Sequence, residues 1–408
     1  MHSMEIDRRR FLALLAAYGA GPLATTVAFA RDGSLLPPTA ATPAAADTVQ
    51  ARDVISATDQ APHNAGPSDT LYVAARKNTG RFEAAVIDEQ GNDRLVIPMP
   101  DRGHSFAIDP LLGRAVVFGR QPGFFALAFD VAGKSAPQAL QAAAGRHFFG
   151  HGVYSPDGNI MVATENDYEA GRGVLGIYDA AEGAGYRRVG EYSSAGIGPH
   201  EVVLMPDGHT LCVANGGILT HPDYGKLQLN ADSMQPSLAY IDLHTGVLQE
   251  QIFLSPELSK LSIRHLVIDA AGAVWFGCQY TGTAEDRPSL VGRHHRGSSP
   301  QLFSGPVETL RSMENYVGSL AVNKAGTVIA ASSPVGSKII FWDAASGECA
   351  GSVDMFDGCG VAAAESQGFI VSSGQGAIAH ILAGEEKKAI QKPVAGLAWD
   401  NHLRRING

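Results

Sequence analysis

The sequence predicts an all-β chain, a seven-bladed β-propeller closed by a C-terminal strand that completes the N-terminal blade. Three observations predict it. Five histidines recur at one position of a repeated unit, as Gly103-His104-Ser105, Gly150-His151-Gly152, Pro199-His200-Glu201, Arg264-His265-Leu266 and Asn401-His402-Leu403. Each begins a short apolar run, usually followed by a Pro or Gly turn. The unit repeats every 40–50 residues with several short strands inside it, which is the sign of a propeller. The third observation is that the N-terminal unit lacks a first strand and the C-terminal unit holds little else.

Taken in order, Thr70–Ala75 and Phe82–Asp88 read as second and third strands with no first strand before them. His104 opens the next unit, and His151 follows 47 residues later. In the His151 unit the first strand runs to the turn Pro156-Asp157-Gly158, with further strands at 160–164, 174–179 and near 188–192. The same order follows His200, with strands at 210–214 and 238–242. The step to His265 is 65 residues because of an extra loop from about Leu219 to Pro236. Two units lack the histidine, one from Val317 to Gly326 and one starting near Cys359-Gly360-Val361. After His402 only Leu403–Ile406 remains, enough for one strand. Pairing that strand with the N-terminal blade removes an open sheet edge. A domain of ~340 residues exceeds one ordinary core, but each blade packs only on its neighbours.

The segment before the repeats reads as export machinery. Arg8-Arg9-Arg10-Phe11-Leu12, a moderate apolar stretch and Ala28-Phe29-Ala30 predict a twin-arginine signal peptide over 1–30. The stretch is broken by Gly19, Gly21 and Pro22, short of the ~20 apolar residues a membrane span needs. Residues 31–66, rich in Ala, Pro and Thr, read as a disordered tether, and 67–408 as the propeller. The expected compartment is the periplasm, with no transmembrane span in the mature chain. Net charge is −10, and without residues 1–30 the balance is 28 basic against 39 acidic side chains. No basic stripe survives, which argues against nucleic-acid binding. Cys212 and Cys278 fall in second strands and read as buried thiols. Cys349 and Cys359 flank a connection between blades and are candidates for a disulfide in an oxidising compartment.

If the units close into a ring, the histidines converge on the channel axis. Second-strand ends share that mouth, which places Arg120, Glu165, Asn166, Asn215 and Gln279 there, beside Glu201 and Asn401. Three readings of the ring stand open. The histidines are structural, like the Gly-His of WD repeats, although here they lie at the inner strand and not in the connecting loop. They are separately satisfied by water and backbone. Or they bind a metal, with His104, His151, His200, His265 and His402 as ligands and nearby oxygen groups fixing the tautomers. Several imidazoles without thiolate favour iron or copper over structural zinc. His147 and the pair His294-His295 are further candidates, the pair reading as a solvated loop. His221 lies in the inserted loop expected to cover one mouth, where Met234 reads as packing. An enzyme at the same mouth remains an alternative, either an oxidoreductase on the histidines or a lactonase-like hydrolase using Glu165, Asn166 and Asn215. A metal-free interaction scaffold is the third outcome.

These residues resemble one bacterial family, carried as domain of unknown function 1513. The carriers are Arg8-Arg9-Arg10-Phe11-Leu12, Gly103-His104-Ser105, Gly198-Pro199-His200-Glu201, Ser262-Ile263-Arg264-His265-Leu266 and Trp399-Asp400-Asn401-His402-Leu403. The resemblance spans about 68–408 and implies an exported propeller. It also implies association with periplasmic iron-uptake proteins of the imelysin type, hence iron or copper handling without an established activity. In position, the ring is similar to the inner-face histidines that hold multinuclear copper in nitrous-oxide reductase. The cupredoxin domain of that enzyme, with its Cys-rich copper motif, has no counterpart in this sequence.

Overall fold

Short apolar runs between Pro, Asp and Gly turns give strands that need cover on both faces, so they stack as sheets around an axis. The computed structural model describes residues 70–406. The segments read as signal peptide and tether lie outside the described residues. The described chain forms seven four-stranded antiparallel sheets. Among the described residues no helix is long and apolar enough to cross a membrane.

The N-terminal blade is built from both ends of the chain, as the sequence predicts. β1 (Leu71–Asn78), β2 (Arg81–Asp88) and β3 (Asp93–Met99) are completed by β28 (Leu397–Arg405), which pairs antiparallel with β1. The other six blades begin with β4 (Gly103–Asp109), β8 (Arg146–Tyr154), β12 (Pro199–Leu204), β16 (Leu261–Ile268), β20 (Ser319–Val322) and β24 (Gly358–Ala363). Each of these first strands touches the next, and β24 touches β28, which returns to β4. The inner strands therefore close a ring around a channel.

The core is distributed between blades and not gathered at one centre. Phe118 on the second blade meets Phe148 on the third at 5.4 Å, and Phe341 meets Phe369 between the sixth and seventh at 5.8 Å. The closing strand joins this packing through Trp399 and Leu403, both buried. Turn chemistry repeats as well. At Pro156-Asp157-Gly158 the Asp157 carboxylate accepts from Ser155 Oγ and from Asn159 N, while Gly158 takes φ 71°.

All four cysteines are free thiols. The pairing considered for Cys349 and Cys359 does not form: Cys359 is buried between the seventh and first blades, whereas Cys349 packs with the core of the fifth and sixth. Burial pushes the thiols of Cys212 and Cys359 up to about 12.

Candidate functional site

A strand running along a channel points alternate side chains into neighbouring blades, so a special device is needed to aim one at the axis. β-Bulges supply it. In β4 the ladder skips from Gly103 to Phe106, leaving His104 and Ser105 unpaired. In β8 it skips from Phe148 to Gly152, freeing His151, and in β12 from Pro199 to Glu201, freeing His200. Along β28 it skips from Trp399 to Leu403, freeing His402. The fifth, His265, keeps Gly277 as partner just after a skip at Arg264. Gly150 is required on two counts: its φ is 105°, and a Cβ there would overlap Cδ2 of His104. The bulge of β24 carries Cys359 and Gly360 instead of a histidine. A Cβ on Gly360 would stand 2.8 Å from the Leu403 amide, so no imidazole fits there.

The five imidazoles meet. Ring centroids lie 4.6 Å apart for His104–His402, 4.7 Å for His151–His402 and 4.8 Å for His151–His200. The circuit closes through His200–His265 at 4.9 Å and His265–His402 at 5.0 Å. None is more than 7 % exposed. Two triads, His104/His151/His200 and His151/His265/His402, hold donor atoms within 4.8 Å of one another, with His151 in both. Donors around a tetrahedral ion with bonds of about 2.0–2.1 Å stand roughly 3.4 Å apart, so small rotamer shifts would close either triad. Both are groups that could hold a metal ion.

Protonation favours that chemistry. Burial holds His104 down to about 4 and lowers His151, His200, His265 and His402, so all five are neutral near pH 7. His200 Nδ1 lies 3.1 Å from the Arg264 carbonyl, which can only accept. The proton is therefore on Nδ1 and Nε2 is a bare donor. Six other buried imidazole nitrogens have no hydrogen-bond partner: His104 Nδ1, His151 Nε2, and both nitrogens of His265 and His402. A packed interior satisfies such atoms in the great majority of cases. Their concentration at one point suits the cluster to hold a ligand.

Two carboxylates flank the cluster. Glu201 ion-pairs with Arg404, accepts from the Leu266 amide at 3.2 Å, and stands 3.4 Å from His265 Nδ1 and 3.7 Å from His151 Nδ1. The two imidazole distances are charge proximity, too long for formed hydrogen bonds. Asp400 ion-pairs with Arg102 and Arg120 and lies 3.9 Å from His104 Nδ1. Although burial opposes ionisation, the arginines and imidazoles hold both carboxyls well below the usual range. Sequence reasoning included Glu201 but missed Asp400, Arg264 and Arg404. All three flank a ring histidine within two residues, and that proximity was the available signal.

Arg120, Gln279 and Asn401 line a cavity of about 280 Å³ over the cluster, beside His104, His200 and His265. The inserted loop roofs it with Thr220, Gly225, Lys226 and Gln228. Asn401 donates to Tyr316 Oη at 3.2 Å and Gln279 to the Val317 carbonyl at 3.2 Å.

Glu165 and Asn215 do not reach this cavity, contrary to expectation. Both sit on second strands, one strand out from the channel, where side chains alternate toward the two neighbouring blades and not inward. Glu165 is fully buried against Tyr178 Oη at 2.6 Å and Arg188 at 2.7 Å. Asn215 donates to the Ser194 carbonyl at 2.8 Å. Asn166 is likewise engaged, with His147 Nε2 and the Thr220 carbonyl, both at 3.0 Å. His147 lies outside the ring, its Nδ1 on the Phe148 carbonyl. His294 is not in a solvated loop: it is buried, with Nδ1 2.7 Å from Tyr240 Oη, while His295 is exposed. His221 caps a short 3-10 turn in the inserted loop, and Met234 is packing. Glu165→Gln is expected to cost about 2 kcal/mol by uncoupling Arg188 and Tyr178. It should leave metal content untouched, as paired denaturation and metal analysis would check.

Comparison with protein families matches residues 97–406 to one described as "Protein of unknown function (DUF1513)". No curated protein matches the chain. Among solved structures it is similar to the Cps50 (Swd1) β-propeller domain of Myceliophteria thermophila, at 11% identity and TM-score 0.51, covering 75% of this chain and 96% of that one. It is also similar to a chain of a mitotic checkpoint complex, at 13% identity and TM-score 0.50, covering 71% and 78%. Hydrazine synthase of Kuenenia stuttgartiensis matches at 15% identity and TM-score 0.49, covering 64% and 70%. At these identities the likeness to the first two concerns the propeller fold alone.

Proposed function

The chain belongs to the DUF1513 family, and because that family brings no activity with it, we propose from the site itself that the propeller holds a transition metal, iron or copper, on its channel histidines. One observation carries the reading: five buried neutral imidazoles converge, each able to offer one lone-pair nitrogen, and in four of them buried ring nitrogens meet no protein partner. A nitrogen-only donor set with no thiolate suits copper and iron, and a cluster with one histidine common to two triads has room for one ion or a close pair. Glu201 and Asp400 would orient ligand rings and offset the ion's charge.

The paired arginines at the N-terminus and the family resemblance support a wider role, in which the protein is exported to the periplasm and serves iron acquisition beside uptake proteins of the imelysin type. An oxidoreductase on the same imidazoles is the second reading, favoured by the cavity that opens onto them. The hydrolase alternative loses its residues, since Glu165 and Asn215 are bonded away from the cavity and the Asn166 amide is spent on His147 and the Thr220 carbonyl.

The test is elemental analysis by ICP-MS of full-length protein matured in a twin-arginine-competent host, followed by anaerobic titration with Fe(II) and Cu(II). Near-stoichiometric metal with a spectrum of imidazole ligation is expected. Metal-free protein that takes up neither ion would leave a propeller scaffold as the function.

A further inference from the structure

The cavity over the imidazoles has a charge pattern unlike the rest of the molecule. The chain carries a net charge of −10, yet this cavity is lined by Arg120, Lys226 and Arg264 and by no carboxylate. Arg120 is paired with Asp400 at 3.3 Å. Arg264 has no such counter-charge. Its backbone carbonyl serves His200, but its guanidinium makes no ion pair or hydrogen bond among the described residues, and its Nε is buried without a partner. Tyr316 and a second cation, Arg120, line the same cavity as it does.

This half-buried guanidinium has no anion, and proteins pair such groups with carboxylates or phosphates in a planar fork. We propose that the cavity binds a small oxyanion or carboxylate, gripped by the guanidinium of Arg264 with Arg120 and Lys226 at its sides. The anion would lie on the open face of the imidazole cluster, where it would be either a co-ligand of the metal or the anionic substrate of a redox site. Size restricts the class. About 280 Å³ is at the lower end of small-molecule sites, which run to roughly 1,000 Å³. Amides of Gln121, Gln279 and Asn401 supply further donors around the rim. The proposal rests on the metal reading for the ion the anion would accompany, but not for the anion's own binding.

Citrate and inorganic phosphate titrated calorimetrically into the metal-free full chain at low salt test it, with glycerol as an uncharged comparison. Binding of at least one anion is expected, weaker by about tenfold or more in Arg264→Gln and partly restored in Arg264→Lys. Thermal melts of each variant would show that the fold is retained. Equal affinity in wild type and Arg264→Gln, or no binding of either anion, overturns the proposal. Metal uptake measured in parallel separates the two readings: protein that takes the anion through Arg264 but no metal sinks the metal site alone, and protein that takes metal but no anion sinks this site alone.

Discussion

Changing His151 to alanine is expected to reduce metal content from near-stoichiometric to background. His151 is the one imidazole present in both triads, and its ring faces all four others at 4.7–6.1 Å. Its loss takes a ligand from either arrangement, so no remaining triad escapes. Disturbing a residue that merely orients a ligand costs up to about 100-fold in affinity, so removing the shared ligand should cost more than about 100-fold. The metal-free fold should hardly notice. His151 Nε2 has no partner, so deleting the ring removes an unsatisfied polar atom while opening a cavity, and the two effects oppose each other. A net change within about 1 kcal/mol in chelator-treated protein is expected. His294→Ala is the control. It breaks a buried bond to Tyr240 and should lower stability while keeping the metal. Metal retained by His151→Ala would move the site away from the ring.

The blade count and the closure were legible because they rest on periodicity, and the family likeness read from the histidine motifs was borne out by the match over 97–406. The convergence of the histidines was legible for the same reason. How they converge was not. Bulges decide which residue leaves the ladder, and a bulge belongs to the pairing of two strands: nothing local to Ile263-Arg264-His265 says that Arg264 loses its partner while His265 keeps one. The second-strand ends divided for a related reason. Arg120 and Gln279 reach the mouth, but Glu165 stops between blades because Gly176 leaves room for its carboxylate, where a Cβ would collide. His294 was misread because it ends the strand Val291–His294 and its burial depends on Tyr240, 54 residues earlier in the chain.

Stability of the metal-free protein is expected to fall as pH drops from 6.5 toward 4. Burial depresses His104 from 6.5 to about 4, and the other four imidazoles shift in the same direction. In that window the unfolded chain takes up protons that the folded chain refuses, so the unfolded state gains. The full stability is present above pH 6.5 and is progressively lost down to the folded value, by roughly 3 kcal/mol for His104 alone. Glu201 and Asp400 act with the same sign at the acid end. Both are depressed when folded, and the stability they add above their ordinary values of 4.5 and 3.8 is lost below them. Urea denaturation of chelator-treated protein at intervals from pH 7.5 to 4.5 would measure the slope. Metal should alter the lower half of that curve. Ordinary imidazoles begin to release metal below about pH 6.5 because protons compete, but rings that burial shifts in the acid direction, His104 to about 4, should hold it to a lower pH. A ring that served only structure, with shared protons bridging its nitrogens, would welcome an added proton, and its stability would stay flat or rise on acidification. The sign of one slope in metal-free protein therefore separates a cluster built to await a cation from one built to hold itself together.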